Sequence, residues 1–115
     1  MQTRSRELNG VTVLDLTGRI TIGEGSASLR DRIQDELAKG NRHILLNLAD
    51  VSYIDSSGLG ELISAYASAR NRGGEVKLSN LSKKVHNLME IVKLYTVFDI
   101  FDDETSAIAS FRQAA

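Results

Sequence analysis

The chain has 115 residues, 42% hydrophobic and 25% charged, with a formal net charge of −1. One domain over 1–115 fits that length, and a chain of this size buries roughly 65% of its unfolded surface, so it needs no metal or covalent staple to fold. The absence of cysteine excludes a disulfide framework and a thiolate zinc site; the near-balanced charge argues against electrostatic capture of nucleic acid, and apolar runs of only a few residues argue against membrane insertion.

Residues 1–7 lack the apolar core of a secretion signal, so a cytoplasmic location is expected. Residues 2–8 are mostly polar and end at Asn9-Gly10, a strong hairpin signal because both turn positions need positive φ. VTVLDLT, 11–17, follows as a strand apolar on both faces, which makes the first strand an antiparallel edge and the second interior. Residues 18–25 carry Gly18, Gly23 and Gly25 and read as a long loop. Leu29, Ile33 and Leu37 mark one stripe of a helix that Lys39 and Gly40 end. HILLNL, 43–48, reads as a short buried strand. Leu59, Leu62, Ile63 and Tyr66 give the stripe of a second helix, stopped by Gly73-Gly74, with Arg70 and Arg72 suiting its dipole. EVKL, 75–78, is a strand, and Ser82 caps a third helix carrying Val85, Leu88, Met89 and Val92. TVFDIF, 96–101, reads as the last strand, and Asp102 or Asp103 caps a closing helix through Ala107, Ile108 and Phe111. The order ββαβαβαβα predicts an α/β fold: a mixed, mostly parallel sheet with right-handed crossovers and an antiparallel edge hairpin.

In such a sheet the loops that leave the strand C-termini share one edge, where ligands or partners bind. Residues 18–26, 49–58, 79–84 and 101–104 fall on it. The stretch YIDSSGLGEL, 53–62, joins strand to helix there with an acid, two hydroxyls and two glycines, more than a cap requires. Redundant capping is one explanation, since Asp and Ser are both preferred N-caps. A switch is the other. A helix start presents unpaired N–H groups and partial positive charge, so a phosphate on Ser56 or Ser57 is tolerated there. Gly58 and Gly60 would let another backbone come close. New negative charge beside Asp55 would repel an acidic or apolar partner surface.

YIDSSGLGEL, with LDLTGRI before it and the ββαβαβαβα order around it, resembles the STAS domain of bacterial anti-sigma-factor antagonists over nearly the whole chain. The resemblance implies a binding module and not an enzyme, with no catalytic residue and no cofactor of its own. It implies that Ser56, directly after the aspartate, is phosphorylated by an anti-sigma factor that is also a serine kinase, with Ser57 as the neighbouring alternative. The unmodified form would bind that kinase and free the sigma factor, the phosphorylated form would let go, and a metal-dependent serine phosphatase would reset it. ATP and magnesium would belong to the kinase. The implied contact surface is Asp55, Ser56, Ser57, Gly58 and Leu59, with Thr21 and Glu24 from the 21–26 loop, on a monomer or weak dimer. Well-studied members often carry an acid shortly after the glycine that follows the second strand; here Arg19-Ile20-Thr21 stands there, and Glu24 is the nearest acid. Related domains also serve as unswitched scaffolds or as subunits of stress-sensing and lipid-transport complexes, where Leu59 or Tyr66, not Ser56, would carry binding.

Other constellations are weaker. A serine hydrolase needs a base near Ser56, but His43 opens the third strand at its far end and the G-x-S-x-G elbow is absent; His86, in the first turns of a helix on the same edge, is the one possible partner and otherwise a helix-surface side chain. Gly58-Leu59-Gly60 lacks the third glycine of a dinucleotide loop, Ile63 standing in its place. Lys83 and Lys84 fit a solvated helix end or a dock for an acidic partner or phosphoserine. Asp99, Asp102, Asp103 and Glu104 suit capping and solubility. Two separated histidines and no cysteine give no transition-metal set.

Overall fold

A computed structural model describes residues 1–112. In chain order the elements are β1 (Gln2–Leu8), β2 (Val11–Ile20), α1 (Glu24–Ala38), β3 (His43–Ile54), α2 (Ser56–Asn71), β4 (Glu75–Ser79), α3 (Lys83–Ile91), a 3-10 turn (Leu94–Thr96), β5 (Ile100–Phe101) and α4 (Glu104–Arg112). The strands lie in the order β1-β2-β3-β4-β5, with β1 antiparallel to β2 and every other pair parallel. Asn9 and Gly10 make the hairpin turn at φ of 53° and 81°.

Side chains alternate across the pleat and build two cores. Leu14, Leu16, Ile44, Leu46 and Leu48 meet Leu29 and Ile33 of α1, Leu62 of α2, and Val85 and Met89 of α3. Val11, Val13 and Leu45 face the other way and meet Ala107, Ile108 and Phe111 of α4. The start of α4 is tied to the hairpin by Arg6, which donates to Glu104 and to Asp15, its Nε lying 2.6 Å from Asp15 Oδ2. That guanidinium, helped by Asn47 Nδ2 at 2.8 Å, holds the Asp15 carboxyl below its usual range.

The third strand is twice as long as the apolar run predicts: its pairing with β2 runs on to Ile54, and along the way β3 carries two extra residues against β2. The pairing advances from Asp15↔Asn47 to Thr17↔Asp50, and again from Gly18↔Val51 to Arg19↔Tyr53, so β3 bulges twice. Its buried residues therefore change from every second position to every third: Leu48, Val51, Ile54. The pairing also draws residues 18–20, expected in a loop, into the end of β2, leaving 21–23 as the connection to α1.

Three further expectations are corrected. On α2 the buried stripe is Leu59, Leu62, Ala65 and Ala69, while Ile63 is 42% exposed, so the helix is rotated toward its alanines. The last strand is only Ile100–Phe101. Lys93 turns left-handed at φ 60° after α3, the 3-10 turn follows, and Phe98 is drawn into the core, where it meets the Tyr66 ring edge-on at 5.3 Å. Val92, expected in the buried stripe of α3, sits at the end of that helix and is 42% exposed.

Candidate functional site

Three segments meet at the carboxyl end of β2 and β3: the 21–23 connection, the first turn of α1 and the first turn of α2. The Ile20 carbonyl is their hub. It accepts the Asp55 N–H at 3.2 Å, and a side chain on Gly58 would run into it, with Cβ also 2.8 Å from Ile54 Cγ2 and 2.9 Å from Ile20 Cγ2. Gly25 is pressed in the same way against the Arg19 carbonyl. Both glycines therefore serve approach within the chain; Gly58 is buried and not open to another backbone. Gly60 has open space where its Cβ would be.

Asp55 is the N-cap of α2. One carboxylate oxygen accepts the Gly58 N–H at 2.9 Å and the other accepts the Ile22 N–H at 2.8 Å. These two donors hold the Asp55 carboxyl below its ordinary range, so it stays charged. It thereby joins the β2–α1 connection to the tip of α2. Ser57 makes a second joint: its Oγ lies 2.6 Å from Ser26 Oγ, and Ser26, 5% exposed, donates to the Thr21 carbonyl at 3.0 Å.

Ser56 is different. It is exposed on the first turn of α2, and its hydroxyl has no side-chain partner among the described residues. Of the other expected contact residues, Glu24 is exposed and Thr21 and Asp55 are half-buried, while Leu59, 8% exposed, belongs to the core. Leu59 and Gly58 thus support the tip from beneath.

The structure adds surface that the motif does not reveal. Ile22, 80% exposed, stands on the loop that Asp55 holds. Just before the tip, the Tyr53 ring lies 5.5 Å from the Arg19 guanidinium and 5.1 Å from the Lys84 ammonium. Tyr53 and Ile54 line a groove of about 180 Å³ with Lys84, Val85, Leu88 and Ile91 of α3. Ile91 is 77% exposed. An isoleucine between polar and glycine neighbours at 22, and one off the buried stripe at 91, are the sequence signals that mark this surface. Lys84 is exposed at the start of α3, with its ammonium over the Tyr53 ring. His86 is engaged with Glu90, Nδ1 to Oε1 3.1 Å, and His43 stacks near Phe111 at the opposite end of β3 from Ser56. Neither hydrogen-bonds the Ser56 hydroxyl among the described residues. No helix among the described residues is long and apolar enough to cross a membrane.

Comparison with known proteins agrees with this fold. A family model described as the STAS domain matches residues 2–107. An anti-sigma F factor antagonist of Paenibacillus polymyxa is 27% identical over 109 residues, 94% of this chain and 92% of that protein. An anti-sigma-B factor antagonist of Bacillus subtilis is 38% identical over 64 residues, 56% of this chain and 59% of that protein. Among solved structures, a Thermotoga maritima protein superimposes with a TM-score of 0.89 at 27% identity, covering 96% of this chain and 94% of the other.

Proposed function

Since the chain belongs to the STAS domain family, we propose that it is an anti-sigma factor antagonist whose docking is switched off by phosphorylation of Ser56. The observation that carries this reading is the exposed, unengaged Ser56 hydroxyl on the first turn of α2, between neighbours that are tied into the fold. The antagonist names of two relatives supply the class of partner.

In this account the unmodified tip docks on an anti-sigma factor that is also a serine kinase, and so releases a sigma factor. Ser56, Ile22 and Glu24 meet the partner at the tip, and the Tyr53–α3 groove takes an apolar side chain. Phosphorylation joins Ser56 Oγ to the γ-phosphorus of ATP, breaks its bond to ADP, and passes the hydroxyl proton to a base of the kinase. The product suits the fold, because the phosphate sits at the positive end of α2. It does not suit the interface, because ~1.5 to 2 negative charges then stand where partner surface was packed. A serine phosphatase restores the hydroxyl. A kinase that uses ATP places the encounter in the cytoplasm.

Incubation with the anti-sigma kinase of the same host and ATP tests this. Mass spectrometry should find one phosphate on residue 56, and Ser56→Ala should remain unmodified while still binding the kinase. Equal binding by wild type, Ser56→Ala and Ser56→Asp would instead mark an unswitched scaffold.

A further inference from the structure

Two adjacent serines stand at the tip of α2, and the direction of their hydrogen bonds separates them. Ser26 spends its hydroxyl proton on the Thr21 carbonyl at 3.0 Å. Across the 2.6 Å contact between Ser26 Oγ and Ser57 Oγ it can then only accept, so Ser57 is the donor. The order is Ser57 O–H to Ser26 O–H to Thr21 carbonyl. The middle member is 5% exposed, so water does not readily replace either bond.

Esterification of Ser57 removes the proton on which this chain depends. It also sets a tetrahedral, acceptor-only group into a 2.6 Å gap between two oxygens. Ser26 cannot retreat freely. Its N–H is bonded to the Thr21 carbonyl at 2.9 Å, Gly25 before it is pressed on the Arg19 carbonyl, and Ile22 is held by Asp55. A phosphate on Ser57 has to open the joint between the β2–α1 connection and α2. A phosphate on Ser56 meets solvent.

We propose that Ser26 is a positioning residue that reserves the Ser57 hydroxyl, leaving Ser56 the one serine of this pair that can be esterified with the joint closed. This rests on the reading of Ser56 as a phosphorylated switch and deepens it: the choice between two neighbouring hydroxyls is made by a buried serine 31 positions away in sequence.

Two experiments test it. In the first, phosphoserine is installed during translation at position 56 or at position 57, with no kinase present. Phosphoserine at 56 should leave the melting temperature within about 2 °C of the unmodified chain, and at 57 should lower it by about 5 °C or more. Hydrogen exchange at the Ile22 and Ser26 amides should rise at least about tenfold for the 57 form only. Equal stability and equal protection of the two forms would overturn the proposal. In the second, the host's anti-sigma kinase and ATP act on wild type, Ser56→Ala, and Ser56→Ala combined with Ser26→Ala. The proposal expects phosphate on Ser57 in the combined variant alone, a redistribution that mere loosening of the fold would not produce. Phosphate on Ser57 of Ser56→Ala at the wild-type rate, or none on the combined variant, would contradict it. If the kinase leaves even wild type unmodified, the switch reading fails by itself, and the installed phosphoserines still decide the assignment of the two hydroxyls.

Discussion

Gly58→Ala against Gly60→Ala measures how tightly the tip of α2 is seated. Both glycines lie in the first turns of the same helix, and a methyl group in a helix is intrinsically favourable by about 1 kcal/mol over glycine. At Gly60 nothing lies within 4 Å of the new Cβ, so most of that gain should appear. At Gly58 the Cβ meets Ile54 Cγ2 at 2.8 Å and Ile20 Cγ2 at 2.9 Å as well as the Ile20 carbonyl. The isoleucines are fully packed and the carbonyl is held by the Asp55 N–H, so none yields without a backbone shift. Forcing a methyl into such a site costs about 1–3 kcal/mol. With the overpacking cost near the upper end of that range, the two variants should differ by about 3 kcal/mol, or about 10 °C in melting temperature at this chain length. Urea unfolding followed by circular dichroism, with an unchanged slope, gives the difference directly. Gly58→Ala unfolding together with Gly60→Ala, or above it, would refute the close seating of α2 on the end of β2. The same pair separates support from contact: if a partner's backbone approaches Gly60, Gly60→Ala weakens docking while raising stability.

Acid should unfold the chain through its paired carboxyls. Asp15 and Asp55 both titrate lower folded than unfolded, so on acidification the unfolded chain takes up protons first. Their contribution is complete above the unfolded value of about 4 and is lost as pH falls through the lower folded values; a series of melts should therefore be flat near neutrality and fall below about pH 4, with a shallower fall for Asp15→Asn. At the groove and on the loop that Asp55 holds, Tyr53→Ala, Lys84→Glu and Ile22→Ala should each weaken binding to the anti-sigma kinase by about tenfold, as removal of an interface contact does. They should shift melting little, because these side chains are exposed; unchanged affinity in all three would place docking elsewhere.

The alternation of strand and helix, the antiparallel hairpin at Asn9-Gly10 and a cap by an Asp or Ser at the start of α2 are legible in the sequence, because each rests on local chemistry; which residue caps, and which of Ser56 and Ser57 stays exposed, are not. What the sequence hides is set by distant pairing. The reach of β3 to Ile54 depends on two bulges that turn a two-residue pattern into Leu48, Val51, Ile54, a spacing that no strand template matches. Gly58 reads as an opening for a partner, and only the position of the Ile20 carbonyl shows that the space is already taken. The stripe of α2 passes through Ala65 and Ala69, whose small side chains carry less weight in a hydrophobic pattern than the exposed Ile63. Phe98 fits a strand by composition, but Tyr66 and the core draw it out of the sheet. The Ser26–Ser57 contact spans two helices that only the parallel pairing of β2 with β3 brings together.

The affinity of the host's anti-sigma kinase for the unmodified chain, set beside that for a chain fully phosphorylated on Ser56, tests the central claim most directly. Calorimetry should show tight binding for the first and a loss of about a hundredfold or more for the second, the scale of several kcal/mol that misplaced like charge costs at an interface. Equal affinities would contradict the switch, however accessible the hydroxyl.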